Sequence, residues 1–159
     1  MSHDLHFGVT LPQIKRSWTE CRDTAVQIDR LGFDSAWVCD HVYGVPMPNL
    51  PILEAWSLLA AVAACTEHVE LGTLVTPPFF RNPAILAKQV ATLDHISGGR
   101  AIVGLGAGWF EAEFTGTGSA FPPLGERMKA LEETAILLRR LFSEERVTFT
   151  GRHFRVSEA

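Results

Sequence analysis

The sequence predicts a parallel α/β fold, and three observations carry that prediction. Strand-like apolar runs begin near Leu5, Ser35, Val69 and Ala101, a repeat of roughly 30 residues that suits βα units. Helix-like segments with their own start and stop signals fill the intervals. The runs show few polar alternations, as strands covered on both faces do.

The first strand, Leu5–Leu11, is ended by Pro12. Ser17-Trp18-Thr19-Glu20 is then a capping box, with Ser17 as N-cap and Glu20 reaching back. Ala25, Ile28 and Leu31 recur at helical spacing until Gly32 stops the helix. The second strand, Ser35–Cys39, lies between Asp34 and Asp40. Three prolines mark Gly44 to Pro51 as a loop. Leu53–Thr66 is an Ala- and Leu-rich helix, and Val69–Val75 the third strand. Asn82-Pro83 pairs an N-cap with a proline at the first helical position. Leu86, Val90 and Leu93 mark that helix's buried face, and Gly98-Gly99 closes it. Ala101–Leu105 is the fourth strand, followed by a glycine-rich turn and a long polar loop. The next helix sets Met128, Leu131, Ala135, Leu138 and Phe142 on one face. The tail reads as a small β-hairpin, Val147–Phe149 and His153–Val156 about Gly151.

Four such units fit an open doubly wound sheet or half of a (β/α)8 barrel, which needs about 250 residues in full. The stretch Gly104-Leu105-Gly106-Ala107-Gly108-Trp109 fails the dinucleotide-binding fingerprint, because Trp109 stands where the third glycine belongs. A half barrel leaves two strand edges open. A longer chain, a homodimer or a second chain would close them, and residues 1–159 are expected to be the N-terminal half of a TIM-barrel domain, a fragment of a longer protein.

The 159 residues carry a net charge of −4, and their 14 Lys and Arg form no stripe, which argues against a nucleic-acid partner. The three cysteines, Cys21, Cys39 and Cys65, show no CxxC or Cys/His ligand spacing. They point to a reduced, cytoplasmic setting rather than to a disulfide framework or a zinc site. Met1 to Phe7 lacks the pattern of a signal peptide, and the longest apolar stretch, Leu58–Cys65, is too short to span a bilayer. No membrane partner is expected.

In parallel α/β folds function collects at the carboxyl ends of the strands. Those ends are Leu11-Pro12-Gln13, Cys39-Asp40-His41, Leu74-Val75-Thr76-Pro77 and Gly106-Ala107-Gly108-Trp109. An imidazole beside a carboxylate, as in Asp40-His41, suits general acid/base work or a hydrogen bond to a cofactor ring; Asp40 also fits as the cap of a turn, with His41 a polar loop residue. No metal is expected, since only these two candidate ligands lie at strand ends, and His68 and His95 fall at the opposite ends. The turn Gly104 to Gly108 lets backbone approach a ligand closely, or is simply a tight turn. Arg81 beside the N-cap Asn82 suits a phosphate or a solvated surface equally. Trp37 and Trp56 read as core.

Several ordered motifs then resemble one family, the luciferase-like monooxygenases. Gly32-Phe33-Asp34-Ser35-Ala36-Trp37-Val38-Cys39-Asp40-His41 is similar to the family's second strand. Leu71-Gly72-Thr73-Leu74-Val75-Thr76-Pro77 with Arg81-Asn82-Pro83-Ala84 resembles its third strand and helix entry. Leu93 to Arg100, Gly104 to Trp109 and Gly125-Glu126-Arg127 resemble its fourth strand and the helix that follows, and Val147 to Phe154 its hairpin.

That resemblance implies a (β/α)8 barrel of which this chain holds the first four βα units. It implies an oxidoreductase that binds FMN or coenzyme F-420 at the strand ends and acts on a small organic substrate. FMN members activate dioxygen as monooxygenases, and F-420 members transfer a hydride. By resemblance Asp40 and His41 lie beside the ring system, with His41 and Asp40 as catalytic residues. Thr73, Leu74 and Val75 occupy a stretch that often holds a non-prolyl cis peptide against the ring. Gly106, Ala107, Gly108 and Trp109 complete the cofactor-binding set, Trp109 being placed to pack on a flavin or substrate. Some deazaflavin sugar-phosphate dehydrogenases carry a glutamate where this sequence has Trp109; Glu111 and Glu113 are close but do not match that position. The competing expectation is a non-catalytic half barrel that needs a partner chain or dimerisation to fold.

Overall fold

A computed structural model describes residues 5–45, 47 and 49–159. Met1 to Asp4 and two prolines of the expected Gly44–Pro51 loop lie outside the described residues. The elements are β1 (Gly8–Thr10), α1 (Trp18–Arg30), β2 (Ser35–Val38), α2 (Ala55–Ala63), β3 (Glu70–Thr73), α3 (Pro83–Ser97), β4 (Ala101–Ile102), α4 (Glu111–Gly116), α5 (Leu124–Ser143), β5 (Phe149–Thr150) and β6 (Arg155–Val156).

The four expected strands form one parallel sheet in the order β1-β2-β3-β4. Each crossover therefore advances to the next position. A doubly wound sheet would reverse its order at a switch point; the uninterrupted order is that of barrel units, with β1 and β4 as edges. One face of the sheet, carrying Val9, Ala36, Val38, Leu71 and Ala101, packs with Leu59, Val62, Leu86 and Leu93 in one apolar cluster, whereas the opposite face, with Thr10, Trp37 and Ile102, lies outside it, so the expected cover on both faces is found on one.

The helix signals hold at residue level. Ser17 Oγ accepts from the Glu20 amide at 3.3 Å while Glu20 Oε2 accepts from the Ser17 amide at 2.9 Å. Asn82 Oδ1 accepts from the Ala84 amide at 2.8 Å, Pro83 opens α3, and Gly98 closes it with φ 72°. Several expected bounds contract. The first strand loses Leu5 and Phe7, which are exposed, and the second helix starts only after its cap, Glu54. The third strand ends at Thr73 and the fourth at Ile102, because the chain beyond each turns into the loops of the site.

Two expectations need correction. The long polar loop contains a short helix, α4, which buries Glu113 and Phe114. The apolar face read into α5 is also rotated: Ala130, Thr134, Leu137 and Leu138 are buried, whereas Met128 and Phe142 are exposed. Thr134 takes a core position because its hydroxyl donates to the Ala130 carbonyl at 2.8 Å, which hides its polarity inside the helix.

The expected hairpin is present as β5 and β6, and Glu126, Glu133 and Arg140 of α5 tie it to the helix. Glu133 accepts the amides of Arg152, His153 and Phe154 at 2.8, 3.0 and 3.0 Å. Burial raises its pKa, but the three amide hydrogen bonds outweigh this and hold it below the ordinary 4.5. A lowered folded-state pKa means that the contribution is complete above 4.5 and is lost as pH falls through the depressed value. The amide resonances of Arg152, His153 and Phe154 are accordingly expected to titrate together below pH 4.5. Glu133→Gln should abolish that titration; its persistence in the variant would assign the acid sensitivity elsewhere.

Candidate active site

The carboxyl ends of β2, β3 and β4 lie side by side, as the sheet order requires, and the candidate residues meet there. A cleft of about 90 Å3 is lined by Asp40, His41, Leu74, Val75, Gly108 and Trp109, with Phe80, Phe110, Glu113 and Phe114 completing its wall.

Gln13, just after β1, positions the loop at the end of β2. Its amide nitrogen donates to the carbonyls of Cys39 and Leu53 at 2.8 Å each, and its oxygen accepts from the Cys39 amide at 2.8 Å. Gln13 is buried, so this bonding satisfies three of its four hydrogen-bond positions and fixes the backbone that launches Asp40 and His41.

The adjacent Asp40 and His41 do not bond to each other. On extended chain, successive side chains leave in opposite directions, and the two enter separate networks. Asp40, 4% exposed, forms a bidentate pair with the Arg81 guanidinium, one arm of it at 3.0 Å. It also accepts from Thr76 Oγ1 at 2.8 Å and from Trp56 Nε1 at 3.3 Å. Arg81 is thereby committed to a protein carboxylate and to Glu54 at 3.5 Å, not held for a phosphate. Trp56 is core as expected, and its indole N–H serves the site as well.

His41 turns toward α4. Its Nδ1 lies 2.7 Å from Oε2 of Glu113, which is 1% exposed and whose Oε1 accepts the amides of Val42 and Tyr43 at 2.7 and 3.0 Å. If Glu113 is ionised it can only accept, which makes Nδ1 the donor of this pair and leaves Nε2 as the free ring nitrogen. Trp109 stands edge-on to the imidazole at 6.0 Å between ring centroids. The sequence reading noted Glu113 only as close to the family's glutamate position without matching it, and did not place it in the site, because it sits in a six-residue helix with no apolar period. The signal that could have found it is the acidic residue directly before a bulky apolar one, Glu113-Phe114, after the glycine turn.

The Leu74–Val75 peptide is cis. Its two side chains project from the sheet end into the open, Leu74 being 55% exposed. The glycines after β4 make room for this segment. A Cβ on Gly104 would lie 1.9 Å from the Thr73 carbonyl oxygen, and one on Gly106 would lie 2.2 Å from Val75 Cγ2. Thr73 itself is fully buried and donates through Oγ1 to the Gly104 carbonyl at 3.1 Å, so it supports the ledge from beneath. Ala107 lies in the same turn, whose other side is closed by Gly108 over Phe114.

The sequence profile of luciferase-like monooxygenases matches residues 4–159. The chain belongs to that family. It is 40% identical over 145 residues to an F420-dependent glucose-6-phosphate dehydrogenase of Intrasporangium calvum, covering 88% of this chain and 43% of that protein. The enzyme of the same name from Kineococcus radiotolerans is 41% identical over 138 residues, covering 86% and 41%. The chain thus spans less than half the length of these relatives. Among solved structures, an F420-dependent secondary alcohol dehydrogenase in complex with an F420-acetone adduct superposes with a TM-score of 0.85 at 31% identity, over 97% of this chain and 47% of that one. The fold is the α/β TIM-barrel type of the luciferase-like family, represented by four βα units and a hairpin. No helix among the described residues is long and apolar enough to cross a membrane.

Proposed function

We propose that this chain carries the cofactor-facing half of an F-420-dependent oxidoreductase site, in which His41 exchanges the substrate proton while a hydride moves between substrate and deazaflavin. The observation that carries this reading is the His41–Glu113 pair at 2.7 Å, beside the exposed ledge of Leu74 and Val75. The ledge fits a planar ring: it is apolar, it stands clear of the sheet, and Trp109 rises beside it with 63% of its surface exposed. The names of the relatives favour the deazaflavin over FMN, and with it a dehydrogenase over a monooxygenase.

The deazaflavin, when bound, supplies a two-electron acceptor for the hydride. Oxidation of a carbinol then releases one hydride from carbon and one proton from oxygen, leaving a carbonyl. His41 Nε2 takes the proton. Glu113 is a positioning residue: it holds the tautomer and supports the imidazolium that forms. Asp40 is held in the ion pair with Arg81, so its role is to fix the strand end next to His41 and shape the cofactor wall, not to move protons. Thr73, Gly106, Ala107 and Gly108 shape the same wall. On this reading residues 1–159 are the first half of a barrel whose remaining strands close on the β1 and β4 edges, and the three free cysteines suit a cytoplasmic setting.

Titration with F-420 and with FMN, followed by quenching of each cofactor's fluorescence, tests the reading. F-420 is expected to bind more tightly, and failure of both to bind sinks it. In the F-420-loaded enzyme, His41→Ala should lower kcat by roughly 10²–10⁴-fold with little change in cofactor affinity. Glu113→Gln should lower kcat with KM unchanged and remove the downfield Nδ1–H proton resonance of His41. Unchanged turnover in His41→Ala would take the proton transfer away from this residue.

A further inference from the structure

Three consecutive side chains of the loop after β3 leave toward three different elements. Phe79 meets the hairpin, its ring centroid 5.7 Å from that of His153 and 6.0 Å from that of Phe154. Phe80 packs on Phe114 of α4, with centroids 4.7 Å apart. Arg81 forms the bidentate pair with Asp40 at the end of β2. The loop is thus fixed to the sheet end through Arg81 and to the hairpin through Phe79, with Phe80 between the two anchors.

On the far side of the aromatic pair, Phe114 directly follows Glu113, the carboxylate that holds His41 at 2.7 Å. Helix α4 has six residues and no side-chain cap, so its own helical bonds do little to fix where Glu113 stands. Its place is set by Phe114, which is 1% exposed. Phe114 also meets Phe121 at 5.1 Å, and a Cβ on Gly108 would lie 2.5 Å from its Cζ. Gly108 and Phe121 lie on the chain that enters and leaves α4, and they shift with it. The amides of Val42 and Tyr43, which Glu113 accepts, belong to the loop that Glu113 positions. Phe80 comes from a separately anchored loop and gives Phe114 a fixed reference.

Resting on the oxidoreductase reading, we infer that Phe80 is a positioning residue for the proton transfer: its contact with Phe114 carries the Asp40–Arg81 anchor across to Glu113 and so sets the imidazole of His41. The partners of the adjacent Asp40 and His41 are in this way joined to each other, since Phe80 precedes Arg81 and Phe114 follows Glu113. The contact needs a ring on both sides, because an aromatic pair holds beyond the area it buries.

The test compares Phe80→Leu, which removes the ring, with Phe80→Tyr, which keeps it. Phe80 is only half-buried, so its truncation leaves the fold standing. Phe33→Leu, at the edge of the main apolar cluster, is the control for a general loss of packing. Hydrogen exchange of the Val42 and Tyr43 amides in the cofactor-free chain reports whether Glu113 stays in place. In Phe80→Leu these two amides are expected to exchange ~3–10-fold faster while those of α1 keep the parent rate, and both should keep it in Phe80→Tyr. In the F-420-loaded enzyme, Phe80→Leu should lower kcat by a similar factor with KM and F-420 affinity unchanged. Parent-like exchange in Phe80→Leu overturns the inference, as does the same local acceleration in Phe33→Leu or Phe80→Tyr. The expected exchange pattern in a protein that binds neither F-420 nor FMN overturns the oxidoreductase reading instead and leaves the positioning of Glu113 by Phe80 intact.

Discussion

Asp40→Asn lowers the folding stability of the chain by about 3–5 kcal/mol, because it removes the buried, bidentate counter-charge of the Arg81 guanidinium and leaves it only the longer contact to the exposed Glu54 at 3.5 Å. The Arg81 side chain is 16% exposed and Asp40 lies deeper still, so water recovers little of the lost attraction. The substitution keeps the size of the side chain, and Thr76 and Trp56 can still donate to its remaining oxygen; the loss is therefore one of charge and not of packing. For a chain of this length the cost corresponds to roughly 6–20 °C in Tm. Urea unfolding measures it, and the double variant Asp40→Asn/Arg81→Met should recover most of the loss, since removing both charges also removes the burial penalty. A single-variant loss below about 1 kcal/mol would mean that the pair behaves as an exposed one.

Gly104→Ala is expected to cost about 3 kcal/mol, at the upper end of overpacking. The new methyl would sit 1.9 Å from the Thr73 carbonyl oxygen and 3.1 Å from its carbon. Both atoms belong to backbone, and that backbone already bonds across to β4 through the Thr76 amide and the Gly104 carbonyl at 2.8 Å. No side-chain rotation relieves the overlap, so the ends of β3 and β4 must part and the Leu74–Val75 ledge must move. Thermal unfolding and cofactor affinity should therefore both suffer. Gly125→Ala is the control: nothing lies within 4 Å of its added Cβ, in the first turn of α5, and it should be neutral or slightly stabilising. Equal effects from the two substitutions would contradict the packing account.

The scaffold was legible because its signals are local. Ser17 and Glu20, Asn82 and Pro83, and the repeat of apolar runs act over a few residues, and each appears where the residues placed it. The site was legible only as a set of strand ends. Asp40 and His41 are neighbours in sequence, yet their partners, Arg81 and Glu113, come from β3–α3 and α4, and no local pattern assigns one carboxylate to one base. The rotated face of α5 has a similar origin. Periodicity ranks residues by apolarity, whereas Thr134 hides its hydroxyl on its own helix and takes a core position ahead of Met128.

The His41–Glu113 contact joins positions 72 residues apart, whereas each strand of the sheet pairs with the one before it in sequence. At a synthesis rate of roughly 5–20 residues per second, the imidazole leaves the ribosome about 4–14 s before the carboxylate that orients it. During that interval β1, β2 and β3 can already assemble by neighbour-to-neighbour pairing, with the Asp40–Arg81 bridge in place. The sheet thus rests on pairings between neighbours in sequence, whereas the orientation of the base depends on a carboxylate that the ribosome adds 72 residues later.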